Sequence, residues 1–363
     1  MPARVDELRV STYVVPTETP QADGTFEWSR TTLVLVQLRH AAVTGLGYTY
    51  ADRATAVFID EHLREVVTGA DAMHPQRVWD ALRHAIRNVG RPGIASMAIA
   101  AVDCAMWDLK ARLLGVPLVT LLGARRDAVA LYGSGGFTSY SEPELIAHVA
   151  RWVDLGLRMV KIKVGRDPAA DVRRVEVVRA AITPGAELFV DANGAYTPPQ
   201  AIAQGARFAD AGVTWFEEPV SSDDLAGLAR VRQHLGDRMD IAAGEYGYDL
   251  AYFQRMLDAN AVDVVQADAT RCAGITELLR VSALCEARAV PLSLHTAPAL
   301  HLHIACALDR VRHLEYFFDH ERIEGMLFEG VPAPVDGALS PDLSREGNGL
   351  MLRSRDAERF LVR

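Results

Sequence analysis

Cysteine is scarce in this chain. Four residues in 363, Cys104, Cys272, Cys285 and Cys306, lie far apart inside apolar stretches, which argues against a disulfide framework and fits buried, reduced thiols. A cytoplasmic setting is the expectation. Basic charge is also short, with 38 Lys plus Arg scattered among 47 Asp plus Glu and a net charge of -9, so nucleic acid is not an expected partner. Long hydrophobic runs are missing too. The longest, Gly93 to Leu109, is interrupted by Asp103 and Asp108 and suits a buried helix, so no membrane partner is expected. Asp6, Glu7 and Arg9 stand where a signal peptide needs its apolar stretch. No low-complexity linker separates the halves, which implies domains docked as one unit.

What is present is a globular balance, 50% hydrophobic and 23% charged, in a chain long enough to fold without a structural metal. A bound metal would serve chemistry. Residues 1–125 read as an α+β domain: a strand in RTTLVLVQLRH, amphipathic helices in ATAVFIDEHLREVV and PQRVWDALRHAIRNV, and a long buried helix in GIASMAIAAVDCAMWDLKARLLG. Residues 126–323 repeat a different unit, a short apolar run followed by an amphipathic helix. The runs are VALYGS, MVKIK, ELFVD, TWFE, DIAAGE, VDVVQAD, PLSLH and RHLEY. Eight strands with crossover helices imply an α/β fold with parallel pairing, and closure into a TIM-like barrel removes the sheet edges. Residues 324–363 carry turn chemistry and are expected to return irregularly onto the first domain. Pro16 to Arg30 reads as a mobile loop.

In a barrel the residues ending the strands converge on one mouth. Here those residues are Ser134, Lys161 and Lys163, Asp191, Glu217, Glu245, Asp268, His295 and Glu315. Asp191, Glu217 and Glu245 on consecutive strands would repel one another unless a cation neutralised them, and all-oxygen ligation points to Mg²⁺. Glu218 alternates to the opposite face and is given a packing role. Lys161 and Lys163, two apart, share a face, and two ammonium groups this close, and near a metal, should lower each other's pKa until one serves as a base. Asp268 beside His295 would fix the imidazole tautomer and make a dyad. His301 and His303 make a poor metal pair and are left as structural. GSGGFTS lacks the spacing of a phosphate loop and reads as a tight turn.

With KIK at 161–163, DAN at 191–193, FEEP at 216–219, GE at 244–245, DATRCAG at 268–274, LH at 294–295 and LEYFF at 314–318, the chain resembles the enolase superfamily, mandelate racemase subgroup. The resemblance implies a modified (β/α)7β TIM barrel with an N-terminal α+β capping domain. It also implies Mg²⁺ held by Asp191, Glu217 and Glu245, Lys163 as one base, and His295 with Asp268 as the acid/base opposite. Glu315 would hydrogen-bond the substrate carboxylate, which requires it to be protonated. Lys161 and Ser134 match positions that bind or assist that carboxylate, Asn193 a substrate contact, and Arg271 a substrate-site position that supports its neighbours.

The reaction implied is abstraction of the proton α to a carboxylate of a small molecule to give an enediolate. Dehydration of an aldonate or aldarate to a 2-keto-3-deoxy acid is the first expectation. Racemisation of a mandelate-like 2-hydroxy acid is the alternative, and a non-catalytic relative the remote one. For the distal part of the substrate, Glu18, Gln21, Asp23 and Arg30 suit a polyol, whereas Phe26 and Trp28 suit an aromatic group. Relatives commonly form homo-oligomers, octamers or dimers.

Overall fold

Three strands open the chain where the sequence marks one. The computed structural model describes residues 2–362. β1 (Glu7–Ala22), β2 (Glu27–His40) and β3 (Val43–Tyr50) form an antiparallel sheet, and Leu361–Val362 adds to the outer edge of β1 opposite Thr12 and Tyr13. The expected loop Pro16–Arg30 is the distal half of the β1–β2 hairpin. Its register runs to Pro16↔Arg30, shifts, and resumes at Gln21↔Trp28. The tip closes through Asp23 Oδ1, which accepts from the backbone N–H of Thr25 (2.6 Å) and of Phe26 (2.7 Å). Polar residues on both faces and Pro16 and Pro20 hide the strand from a period-2 search.

β3 hides for another reason. Its Gly45 and Gly47 read as turn signals, yet the helix Ile94–Leu113 lies so close that a Cβ on Gly47 would stand 2.4 Å from Ala101 O and Ala105 N. That helix is buried almost all round, and its two interrupting acids dock it. Asp108 Oδ2 accepts from Leu46 N (2.7 Å) and from Arg112 Nε (2.7 Å), and Asp108 Oδ1 from Asn348 N (2.6 Å). Asp103 accepts from Thr276 N (2.8 Å) and Thr276 Oγ1 (2.7 Å), satisfying the free N–H groups that open the barrel helix Ile275–Ala287.

The barrel strands are β4 (Val129–Gly135), β5 (Met159–Lys163), β6 (Glu187–Asp191), β7 (Val213–Glu217), β8 (Asp240–Ala243), β9 (Val264–Ala267), β10 (Leu292–Leu294) and β11 (Val311–Phe317). All pair in parallel, and β11 returns to β4 through Leu314↔Leu131 to Phe317↔Ser134, which closes the sheet. Seven helices, from Glu142–Asp154 to Pro298–Ala307, connect the eight strands. A further helix, Phe318–Leu327, unmarked by the sequence, follows β11 directly. Its burial on several sides erases any amphipathic stripe. Ala338–Leu339 then pairs antiparallel with β4. The last segment thus touches barrel and cap alike.

Period 2 carries the interior. Tyr132, Phe189, Trp215 and His313 fill the barrel as an aromatic plug, Phe189 stacked on Trp215 at 5.2 Å and Trp215 against His313 at 5.1 Å. Two residues further along each strand, on the same face, come Ser134, Asp191, Glu217 and Glu315. The polar mouth therefore rests on a packed floor. Among the described residues no helix is long and apolar enough to cross a membrane.

Candidate active site

One carboxylate oxygen from each of Asp191, Glu217 and Glu245 lies within 4.8 Å of the others, all three residues buried. Burial and then the charge of Asp191 push the Glu217 carboxyl up to about 8, against the pull of Lys161. Burial works the same way on Asp191 and Glu245, but Lys163 and Lys161 hold the first below the usual carboxylate range, and His295 and Arg271 hold the second well below it. Three acids this close are short of positive charge. Glu245 Oε2 faces the His295 ring at 3.3 Å, and Glu217 Oε2 is aimed by Trp215 Nε1, which donates to it at 3.0 Å. An all-oxygen set without Cys or His, buried and converging within 4.8 Å, fits Mg²⁺.

The two lysines face this triad from β5. Lys163 Nζ donates to Asp191 Oδ2 (2.5 Å), and Lys161 Nζ donates to Glu217 Oε1 (2.5 Å) while pairing with Glu315 Oε1 (2.8 Å). The mutual repulsion expected of the pair is present, opposed by the facing carboxylates. Burial and their mutual repulsion do push downward, but the facing carboxylates outweigh both, and each ammonium is held above the ordinary lysine range.

Across the mouth, His295 Nδ1 meets Asp268 Oδ2 at 2.8 Å, and its Nε2 lies 3.3 Å from Glu245 Oε2. Burial opposes the charged ring, yet Glu245 and the bond to Asp268 raise it to about 9, so His295 is an imidazolium at neutral pH. The same forces hold Asp268 ionised. Glu315 differs from expectation. Burial pushes its carboxyl up, but Lys161 and His295 reverse this and hold it low, and it accepts from Thr296 N (3.1 Å) instead of offering a proton.

The remaining predicted groups divide. Ser134 Oγ, beside Lys161 in register, is buried without a partner. Asn193 sits at φ 45° with its Oδ1 likewise unpartnered. Arg271 spends its guanidinium on Glu245 Oε1 (2.9 Å) and lies 3.8 Å from Asp268, so it positions these acids instead of touching substrate. Glu218 is buried beside the triad at φ 37°.

Two helpers escape a sequence search. His301 donates through Nδ1 to Thr296 O (2.8 Å) and accepts at Nε2 from Ala269 N (2.8 Å), tying the loop after Asp268 to the loop after His295. No spacing announces it. Trp215 could have been found, because it precedes Glu217 by two on one strand face. A stronger signal is composition: the chain has only three lysines, and two of them, Lys161 and Lys163, stand in this site.

The described geometry has relatives. Residues 8–123 match the mandelate racemase / muconate lactonizing enzyme N-terminal domain, and residues 144–357 the enolase C-terminal domain-like family. A mandelate racemase/muconate lactonizing enzyme-like protein from Rubrobacter xylanophilus superposes with a TM-score of 0.97 at 47% identity, covering 99% of this chain and 100% of that one. The L-talarate/galactarate dehydratase of Salmonella typhimurium is 32% identical over 86% of this chain and 81% of its own. Its structure liganded with Mg and L-lyxarohydroxamate superposes at a TM-score of 0.90, covering 99% of this chain and 93% of that one. The 3,6-anhydro-alpha-L-galactonate cycloisomerase of Streptomyces coelicolor is 33% identical over 96% of this chain and 97% of its own. Together with the acidic triad, these relatives identify the cofactor as Mg²⁺.

Proposed function

Because the chain belongs to the mandelate racemase / muconate lactonizing enzyme family of the enolase superfamily, and is an enzyme of its magnesium-dependent chemistry, we propose that it dehydrates a sugar acid to a 2-keto-3-deoxy acid. One observation carries the reading. Lys163 pairs with Asp191 and His295 Nε2 lies 3.3 Å from Glu245, so two proton carriers on different strands stand at the same acidic triad, which supports proton transfer to and from a substrate held there.

Asp191, Glu217 and Glu245 would hold the ion, which when bound supplies the positive charge that an enediolate's two oxygens require. Lys161 adds a fixed ammonium beside them, and Ser134 a hydroxyl. Lys163 acts in its neutral form, having given its ammonium proton to solvent before the substrate binds; it takes the α-proton, and the electron pair moves into the carboxylate. The electrons then return to form the carbon–carbon double bond as the β-hydroxyl leaves, carrying the proton of His295 away as water. The enol becomes the keto acid. An imidazolium raised to about 9 and backed by Asp268 is suited to that acid step. Two proton carriers at one site also permit inversion at the α-carbon, which is the isomerase reading.

Incubation in D₂O with Mg²⁺ and a panel of aldonates, aldarates and mandelate-like acids distinguishes them. Keto acid is the expected product. Deuterium exchange with inversion and no keto acid would replace dehydration by racemisation. Exchange with no acid in the panel would remove the proposal.

A further inference from the structure

The turn that follows His295 is strained. Thr296 stands at φ 47° and Ala297 at φ 41°, the one place among the described residues where two successive non-glycine residues occupy the left-handed region. Positive φ is costly away from glycine, most of all for a β-branched threonine, and persists only where the surroundings enforce it. Here the backbone N–H groups of the turn are taken by side chains of β11 and of the helix Phe318–Leu327. Thr296 N donates to Glu315 Oε2 (3.1 Å), Ala297 N to His320 Nδ1 (3.3 Å) and Ala299 N to Glu324 Oε2 (3.0 Å). Burial, then the charge of His295, hold the His320 ring well below the ordinary histidine range, so Nδ1 keeps the lone pair that Ala297 N requires.

Two of these holders are gripped in turn by the cap. Tyr48 and Tyr50, two apart on β3, share a face, and His320 and Glu324 are one helical turn apart, so strand and helix meet as two rungs. Tyr50 lies flat on the His320 ring, centroids 3.4 Å apart at 11°, while Phe317 meets that ring edge-on at 5.0 Å. Tyr48 Oη donates to Glu324 Oε1 (2.5 Å). Between the rungs Thr49 Oγ1 donates to Thr270 O (2.7 Å), two residues past Asp268. The end of β3 thus reaches both loops that carry the dyad.

The turn is coupled to the imidazole directly, because Thr296 Oγ1 lies 3.2 Å from His295 Nδ1. Loss of the Ala297 tie would let Thr296 and Ala297 relax towards negative φ and turn the ring away from Asp268. We propose that His320, backed by Tyr50, is a positioning residue through which the capping domain aims His295. His301 holds Thr296 O from within the barrel; His320 adds a tie that runs to the other domain. That His295 carries a proton rests on the proposed reaction, whereas the placement of its ring by His320 does not.

The test compares variants of the magnesium-loaded full chain by α-proton exchange in D₂O, read for each stereoisomer of an acid that the wild type exchanges. The isomer whose exchange is lost in His295→Asn reports on His295, and the other on Lys163. In His320→Leu the His295-dependent exchange should fall about a hundredfold and the Lys163-dependent exchange less than about twofold, with KM little changed. His320→Asn, whose Oδ1 replaces the Nδ1 acceptor, should recover about tenfold of that loss. Tyr50→Leu should cost about tenfold on the His295 side and Tyr50→Phe, which keeps the stack, should restore it, a comparison that stands even if His320→Leu does not fold. Equal loss on both sides, undiminished His295-dependent exchange in His320→Leu, or no recovery in His320→Asn overturns the role. A second readout needs no substrate. The NMR signal of the His295 Nδ1 proton, assigned by its absence in His295→Asn, should move in His320→Leu and return in His320→Asn; a signal indifferent to His320→Leu also overturns the role. A wild type that exchanges no acid therefore sinks the reaction alone, and the ring signal still judges His320.

Discussion

His295 and Lys163 differ in what surrounds them, and the difference predicts how each fails. His295→Asn removes the acid/base on one side while Lys163 remains, so net turnover should be lost whereas α-proton exchange persists for one stereoisomer, read by deuterium incorporation into each isomer. Full activity in that variant would refute the dyad. His301→Leu leaves every reacting group in place but cuts the tie between Thr296 and Ala269. A displacement of about 1 Å at the dyad can cost on the order of a hundredfold. The expected signature is a fall in kcat with little change in KM and a shifted pH profile, which a merely structural residue would not produce. These acids, lysines and the histidine are legible from the sequence because each ends a strand. Their protonation is not, since Lys163 is governed by Asp191 and Glu315 by Lys161, partners from other strands.

At the scale of elements, the sequence marks the barrel strands well and the cap sheet poorly. Buried parallel strands read as apolar runs bounded by turns, a local signal. β1 and β3 are shaped by neighbours instead: the hairpin tip meets the barrel, and β3 gives up side chains to the helix Ile94–Leu113. Two glycines test this. A Cβ on Gly24 would stand 2.4 Å from Ala192 O and 2.7 Å from Val164 O, backbone that cannot yield cheaply. Gly24→Ala should therefore displace the tip from the mouth and raise KM more than it lowers melting temperature. Gly47→Ala drives a methyl into the backbone of the buried helix and should cost about 1–3 kcal/mol by denaturant titration, as overpacking does.

Over the whole molecule, the cap is held to the barrel by a buried acid whose ionisation opposes folding. Asp103 is pushed up to about 7, chiefly by burial, from an unfolded value near 3.8. The folded chain then holds a proton that the unfolded chain has lost, so this group's contribution is complete below about pH 4 and declines as pH rises towards 7, by up to about 1.4 kcal/mol per pH unit. In Asp103→Asn that part of the pH dependence should vanish from urea midpoints measured between pH 4 and 8. Ion removal acts at the same scale. Chelation with EDTA should abolish turnover and lower the melting temperature, and Mg²⁺ at a hundred times its Kd should restore about 3 kcal/mol of stability.

By itself the sequence determined which residues end each strand, and hence that acids, lysines and a histidine would share one mouth, because alternation and crossover length are local properties of the chain. Only the tertiary structure decided which partners act on each of those groups, which histidine supports the dyad, and that a polar stretch with two prolines would fold as a hairpin against the barrel. Charge and close packing act through space, and the partners concerned lie on different strands and in different domains.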